Sequence, residues 1–254
     1  MSNTGFKVAS EASGPGPIIL AIDTSSPDAN LTISSGENIV ATLTVRNNRP
    51  HSQTLFSYIS TILQLAEMNI QDISAFAVAT GPGSFTGLRV GLAAVKGLAD
   101  SLGKPCLGAD SLDLHALASG SDGEHIVVIA AGRGEVYCGL REVAAGNIIN
   151  RSTNDMVGKP AVVFQVLMQN LKQSALIITG DEGLKYKDEI FDLINRQMVI
   201  ATASGSRRTI FFKLAFNTSS ALARMAGDLV KKGQLSPVSP HYVRQSDAEI
   251  RWRQ

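Results

Sequence analysis

Cysteine is almost missing: Cys106 and Cys138 are the two in 254 residues. They form neither a CxxC nor a CxxxC pair, which excludes a zinc ribbon and a disulfide framework. Both are expected to be packed thiols. The four histidines, His51, His115, His125 and His241, are too scattered to form an HxxxH or HExxH pair, so the helix motif of a zinc peptidase is lacking. Charge is sparse too. Asp, Glu, Lys and Arg make up 18% of the chain and balance to a net +1, which gives no bulk electrostatic reason for tight nucleic-acid binding by the chain alone. No apolar run approaches the roughly 18 residues of a membrane span. Residues 1–17, rich in Gly, Ser and Pro, carry no apolar signal segment. The expectation is a cytosolic protein.

Apolar residues, by contrast, reach 44%, enough for one large core or two small ones. Residues 1–16 read as a disordered extension, and Pro17 to Thr24 (PIILAIDT) as the first strand. Ala29 to Ser34 and Ile39 to Val45 alternate around a Gly36 turn, giving a three-strand meander. Ser52 is placed to cap a helix reaching about Met68, with Leu55, Ile59, Ile62 and Leu63 on one face and Phe56, Tyr58 and Leu65 on another. No charged residue occurs from Pro50 to Ala66. Ser74 to Thr80 reads as a buried strand, followed by a glycine loop and a helix from Gly87 to about Leu102.

A short helix over Ser111 to Ser119 and a turn at Gly120 to Gly123 follow. Strands at Ile126 to Ala131, Glu135 to Glu142 and Ile148 to Ser152, a helix at about Ala161 to Asn170 and a strand at Ala175 to Thr179 then repeat the earlier order. A further strand is expected at Ile200 to Ala203 and a final helix at about Leu214 to Lys232. The pattern predicts an N-terminal lobe over 17–110, a C-terminal lobe over 111–213 with the late helix packing back on the first lobe, and a basic tail over 233–254. From Arg207 onward nine basic residues (Arg207, Arg208, Lys213, Arg224, Lys231, Lys232, Arg244, Arg251, Arg253) face three acidic ones. Most such runs are solvated faces; the alternative is contact with nucleic-acid phosphates.

Gly81 to Arg89 (GPGSFTGLR) joins a buried strand to a helix N-terminus, a layout that can aim backbone amides at an anion. It departs from the Walker pattern, and Thr86 stands where GxGxxG needs its third glycine. Spacing leaves two readings open, a ligand loop and a structural turn with Thr86 as N-cap. Gly87, Gly91 and Ala94 share one face of the helix that follows. Glycine there costs roughly 1 kcal/mol relative to alanine, so close backbone approach by another helix, from this chain or a second one, is the expected compensation. Asp23 ends the first strand, either as an Asx-type turn or as a metal ligand. His51, just before a helix, reads as a packing or capping residue.

Ile19 to Ser25 (ILAIDTS), His51-Ser52, Gly81 to Gly91 with Lys96 to Ala99 (KGLA), Glu135-Val136-Tyr137 and Pro240 to Arg244 (PHYVR) together resemble the TsaB (YeaZ) family. Two stretches depart from its pattern: Ala130-Ala131-Gly132-Arg133 where Asp-Ala-Arg is common, and Gln53 where Glu often follows His-Ser. The resemblance implies an α/β, actin-like fold of two ribonuclease-H-like lobes with mixed sheets flanked by helices. It implies a non-catalytic subunit without a cofactor or metal, acting in threonylcarbamoyladenosine formation in tRNA. Its implied partners are a TsaD-like transferase and a TsaE-like ATPase, with a homodimer when alone and tRNA met through the complex. Candidate interface residues are Leu55, Phe56, Ile59, Ile62, Leu63, Gly87, Arg89, Gly91, Ala94 and Leu98. Asp23, Gly81, Gly83, Ser84 and Thr86 form a candidate vestigial nucleotide loop. On this reading Gly91→Leu or Leu55→Asp abolishes pairing and leaves the monomer folded. The rival is an active phosphotransferase or ATPase using Asp23 and the Gly81 to Thr86 loop.

Overall fold

The computed structural model describes residues 16–46, 49–171, 175–193, 209–213, 215, 217–234 and 238–243. Residues 1–15 of the expected N-terminal extension, the strand at Ile200 to Ala203, and Arg207, Arg208, Arg244, Arg251 and Arg253 lie outside them.

One strand plan is used twice. Ile18–Asp23 (β1), Asp28–Ser35 (β2), Asn38–Arg46 (β3), Ala75–Gly81 (β4) and Cys106–Asp110 (β5) form a sheet of order β3-β2-β1-β4-β5. The first three are antiparallel neighbours, and β4 and β5 run parallel to β1. Gly123–Gly132 (β6), Glu135–Ala144 (β7), Asn147–Arg151 (β8), Ala175–Thr179 (β10) and Thr209–Phe212 (β11) repeat it as β8-β7-β6-β10-β11, with Met156–Gly158 (β9) added beside β7. Neither β9 nor β11 is anticipated by the sequence pattern, because both are too short to show a period.

His51–Leu65 (α1) and Phe85–Leu102 (α2) lie on one face of the first sheet; Ser111–Ala118 (α3) follows β5. Pro160–Gln169 (α4) and the helical residues 187–193 (α5) belong to the second half, and Thr218–Lys231 (α6) ends the described helices. Strand alternation explains the layering. Leu20, Ile22, Phe76 and Val78 point into the core beneath α1 and α2. Ile19, Ala21, Ala75, Ala77 and Ala79 point the other way, against Leu222, Ala223 and Ala226 of α6. Alanine on that side lets α6 approach closely. The two linking helices cross over: Leu112 and Ala116 of α3 pack into the second sheet, while α6 returns to the first.

Several helix ends differ from expectation. Helix α1 starts at His51 after Pro50 with no side-chain cap, so Ser52 does not serve, and it ends at Leu65 rather than Met68. Ser84, not Thr86, caps α2, its hydroxyl accepting from Gly87 N at 3.2 Å. Asn217 caps α6 at Thr218 rather than about Leu214. Cys138 is buried and Cys106 partly so; burial pushes their thiols up to about 12 and about 11, which keeps both protonated.

Candidate functional site

Burial separates the apolar positions of α1. Leu55, Ile59 and Ile62 are buried against the sheet, whereas Phe56 and Leu65 remain 62% and 61% exposed. Tyr58 and Leu63 of α1, with Val90, Leu98 and Leu102 of α2, are half-buried at the edge of that core. Arg89 is exposed. The interior placement of Leu55, Ile59, Ile62, Gly87, Gly91 and Ala94 corrects their assignment as interface residues, since a side chain inside its own lobe cannot touch a partner. Of the remaining candidates Phe56 and Arg89 are exposed and Leu63 and Leu98 half-buried, as Leu65 and Tyr58 are exposed and half-buried in turn.

The glycine face of α2 packs most closely on the end of β1, with His51 of α1 beside Gly87. A Cβ on Gly87 would stand 2.1 Å from the Thr24 carbonyl oxygen, and one on Gly91 would stand 2.4 Å from Thr24 Oγ1. The close neighbour is therefore the end of β1, which Thr24 ties down by donating to Gly87 O at 2.8 Å. Gly91→Leu would break this seam, and Leu55→Asp would bury a charge in the core. Neither tests pairing without unfolding the lobe.

Around β1's end, polar groups are used up within the chain. Asp23 accepts from Ser25 N at 2.8 Å through Oδ1, an Asx turn, and from Thr218 Oγ1 through Oδ2. Ser84 N donates to Ser25 O at 2.6 Å. Gly83 has φ 157, and a Cβ there would lie 2.4 Å from that same oxygen. With Gly87 N held by Ser84 Oγ, two loop amides and both oxygens of Asp23 already have partners. The groups that would hold nucleotide phosphates and Mg²⁺ thus fit that role poorly. His51 is a local tie as well, its Nε2 lying 2.9 Å from Ser26 O.

A cleft of about 590 Å³ opens between the lobes, lined by the loop, His115 of α3, the β6–β7 turn with Arg133, and Asp181. His115 is buried with its Nδ1 unpartnered. Burial holds it below the usual imidazole pKa despite Asp181, Asp23 and Asp110 nearby. Burial likewise raises Asp181, which accepts from Ala130 N at 3.0 Å. Beside the cleft, the fully buried guanidinium of Arg141 reaches Asp113 and Asp155 at 2.5 Å and Asp110 at 3.3 Å. Asp113 also pairs with Arg151, and Asp110 takes His241 Nδ1 at 2.7 Å. Among the described residues Asp110, Asp155 and His241 bring three ligand-type atoms together, yet Arg141 already supplies the cation their carboxylates face. The sequence pattern does not predict this network. Its visible signal was Arg141 on the inward parity of an apolar strand.

Two sheets of one plan, joined by crossed helices around a cleft, define the actin-like class built from ribonuclease-H-like halves. A ROK hexokinase from Thermus thermophilus has this fold (TM-score 0.53, 11% identity, 85% of this chain and 100% of that one). The structure of YeaZ from Pseudomonas aeruginosa fits better, with TM-score 0.68 at 20% identity over 89% of this chain and 100% of that one. In sequence, the chain is 27% identical over 235 residues to the tRNA threonylcarbamoyladenosine biosynthesis protein TsaB of Bacillus subtilis, covering 92% of this chain and 97% of that one. The family model described as TsaD, tRNA N6-adenosine threonylcarbamoyltransferase, matches residues 39–252. The chain belongs to that family, in its TsaB (YeaZ) branch. No helix among the described residues is long and apolar enough to cross a membrane.

Proposed function

We propose that this chain is a non-catalytic pairing subunit in the formation of threonylcarbamoyladenosine in tRNA, and that it acts by holding a TsaD-like transferase through the α1–α2 face. The observation that carries this reading is a pair of bare apolar side chains on opposite flanks of α1. Phe56 and Leu65 stand mostly in solvent on a helix with no charged residue, and large exposed apolar groups of this kind mark partner surfaces. The same face could pair two copies when the transferase is absent. A TsaE-like ATPase and tRNA would join through the complex.

Phe56→Asp and Leu65→Asp change exposed positions, so each variant should fold as the parent does by circular dichroism. Removing a central apolar anchor costs about 2–4 kcal/mol at an interface, roughly a 30- to 1,000-fold weaker dissociation constant. Calorimetric titration against the transferase of the same cell measures it. Unchanged affinity in both variants would remove this face from the complex. The partnered state of Asp23 and of the Ser84 and Gly87 amides argues against the phosphotransferase alternative. Accordingly, the purified chain with ATP and Mg²⁺ should release no phosphate, and steady turnover would reverse the ranking.

A further inference from the structure

Residues Val238–Val243 form a short strap whose two ends are seated in different lobes. Val238 is buried in the first-lobe core beneath α1 and α2, and its carbonyl accepts from Lys96 Nζ at 3.2 Å. Val243 packs against the second-lobe cluster that holds Val127, Ile129 and Tyr137. Between them, His241 N donates to Thr80 O at 2.8 Å, and a Cβ on Gly81 would stand 2.6 Å from His241 O. The Tyr242 ring lies 5.3 Å from that of Phe85, and its hydroxyl accepts from Arg89 Nε at 3.3 Å. His241, Tyr242 and Val243 all line the cleft.

We propose that Val238–Val243 is a clasp that fastens the two lobes across the mouth of the cleft, with the imidazole of His241 as its pH-sensitive catch. His241 Nδ1 is 2.7 Å from Asp110 at the end of β5 and 3.7 Å from Asp155 ahead of β9, so it bridges carboxylates of both lobes. The other charged groups around the strap are Arg141 from β7, held by the same carboxylates, Arg151 beyond Asp113, and Arg89 and Lys96 from α2. The Asp110 hydrogen bond raises the imidazole above its ordinary pKa, with burial opposing it, Asp110 and Asp155 charges adding and Arg141 subtracting. A raised histidine contributes fully below its unfolded value near 6.5 and loses that contribution as pH climbs through the folded value. Asp110 is shifted the other way: although burial opposes it, the His241 hydrogen bond and the Arg141 charge hold it low. It therefore stays ionised over the range in which His241 titrates. The catch is closed in mildly acidic solution and opens on the alkaline side.

Hydrogen–deuterium exchange of the full chain, corrected for intrinsic rates, tests this at about pH 6 and about pH 9. At the lower pH, His241→Ala should speed exchange about tenfold or more in 81–87 and 129–133, as expected for losing a charged hydrogen bond, with β1 and β10 unchanged. Wild type should approach the variant at the higher pH. Tyr242→Ala should loosen the same segments and keep the pH step. The clasp is overturned by unchanged exchange in 81–87, by acceleration spread through β1 and β10, or by a wild type without a pH step.

Discussion

Gly87→Ala should destabilise the chain by about 3 kcal/mol or more, lowering Tm by about 10 °C at this chain length. The added Cβ would meet the Thr24 carbonyl at 2.1 Å, with Ser84 Oγ at 3.2 Å and His51 Cδ2 at 3.3 Å closing the other sides. Backbone cannot yield as a flexible side chain can, so α2 has to withdraw from β1. The bond from Thr24 Oγ1 to Gly87 O then breaks as well. Gly97 provides the control, because it is exposed on the same helix with nothing within 4 Å of its added Cβ. There alanine should stabilise by about 0.5–1 kcal/mol through helix propensity alone. Urea unfolding of both variants checks the pair, and a Gly87→Ala midpoint equal to wild type would mean the seam between α2 and β1 is not close-packed.

How much was legible in the sequence follows from which interactions are local. The meander, the buried strand at β4 and the core stripe of α2 announce themselves because period and burial are set within ten or so residues. Of the helical line Leu88, Leu92, Val95, Ala99 and Leu102, the first four are buried and Leu102 is half-buried. The observed starts differ from the expected caps because Ser84 and Thr86, or Pro50 and Ser52, lie two positions apart, and the choice depends on where the preceding chain enters. The glycine face of α2 predicts a helix contact, and the end of β1 fills it instead. A strand end can approach an α-helix as closely as another helix does, and no local pattern distinguishes the two.

The candidate site was less legible than the fold. On α1 the sequence shows an uncharged helix with apolar residues on several sides, but which of them face the sheet is decided by long-range packing, and it places Leu55, Ile59 and Ile62 inside. Asp110, Asp113, Arg141, Asp155 and His241 come from segments spread over most of the chain. Their meeting requires the two lobes to be folded and joined. Only the inward parity of Arg141 hinted that a buried cation needed carboxylates.

That cation is the second large expectation. Arg141→Met should cost about 3–5 kcal/mol, because the methionine fills part of the space and leaves buried carboxylates without their counter-charge. Arg141 has no exposed side-chain surface and faces Asp113, Asp155 and Asp110. Gly139, on the same strand face, makes room for it, since a Cβ there would lie 2.6 Å from an Arg141 guanidinium nitrogen. Burial alone would lower the arginine pKa, but the three carboxylates outweigh it and raise it. Removing the guanidinium leaves the carboxylates to repel one another, which raises their own pKa values. A carboxylate with a raised folded pKa binds its proton more readily in the folded state. The deficit of Arg141→Met should therefore be largest near neutral pH and shrink as pH falls through those raised values. Denaturant midpoints of wild type and variant, followed from neutral to acidic pH, measure the gap. A gap that stays constant with pH would assign the loss to packing volume and not to the buried charge.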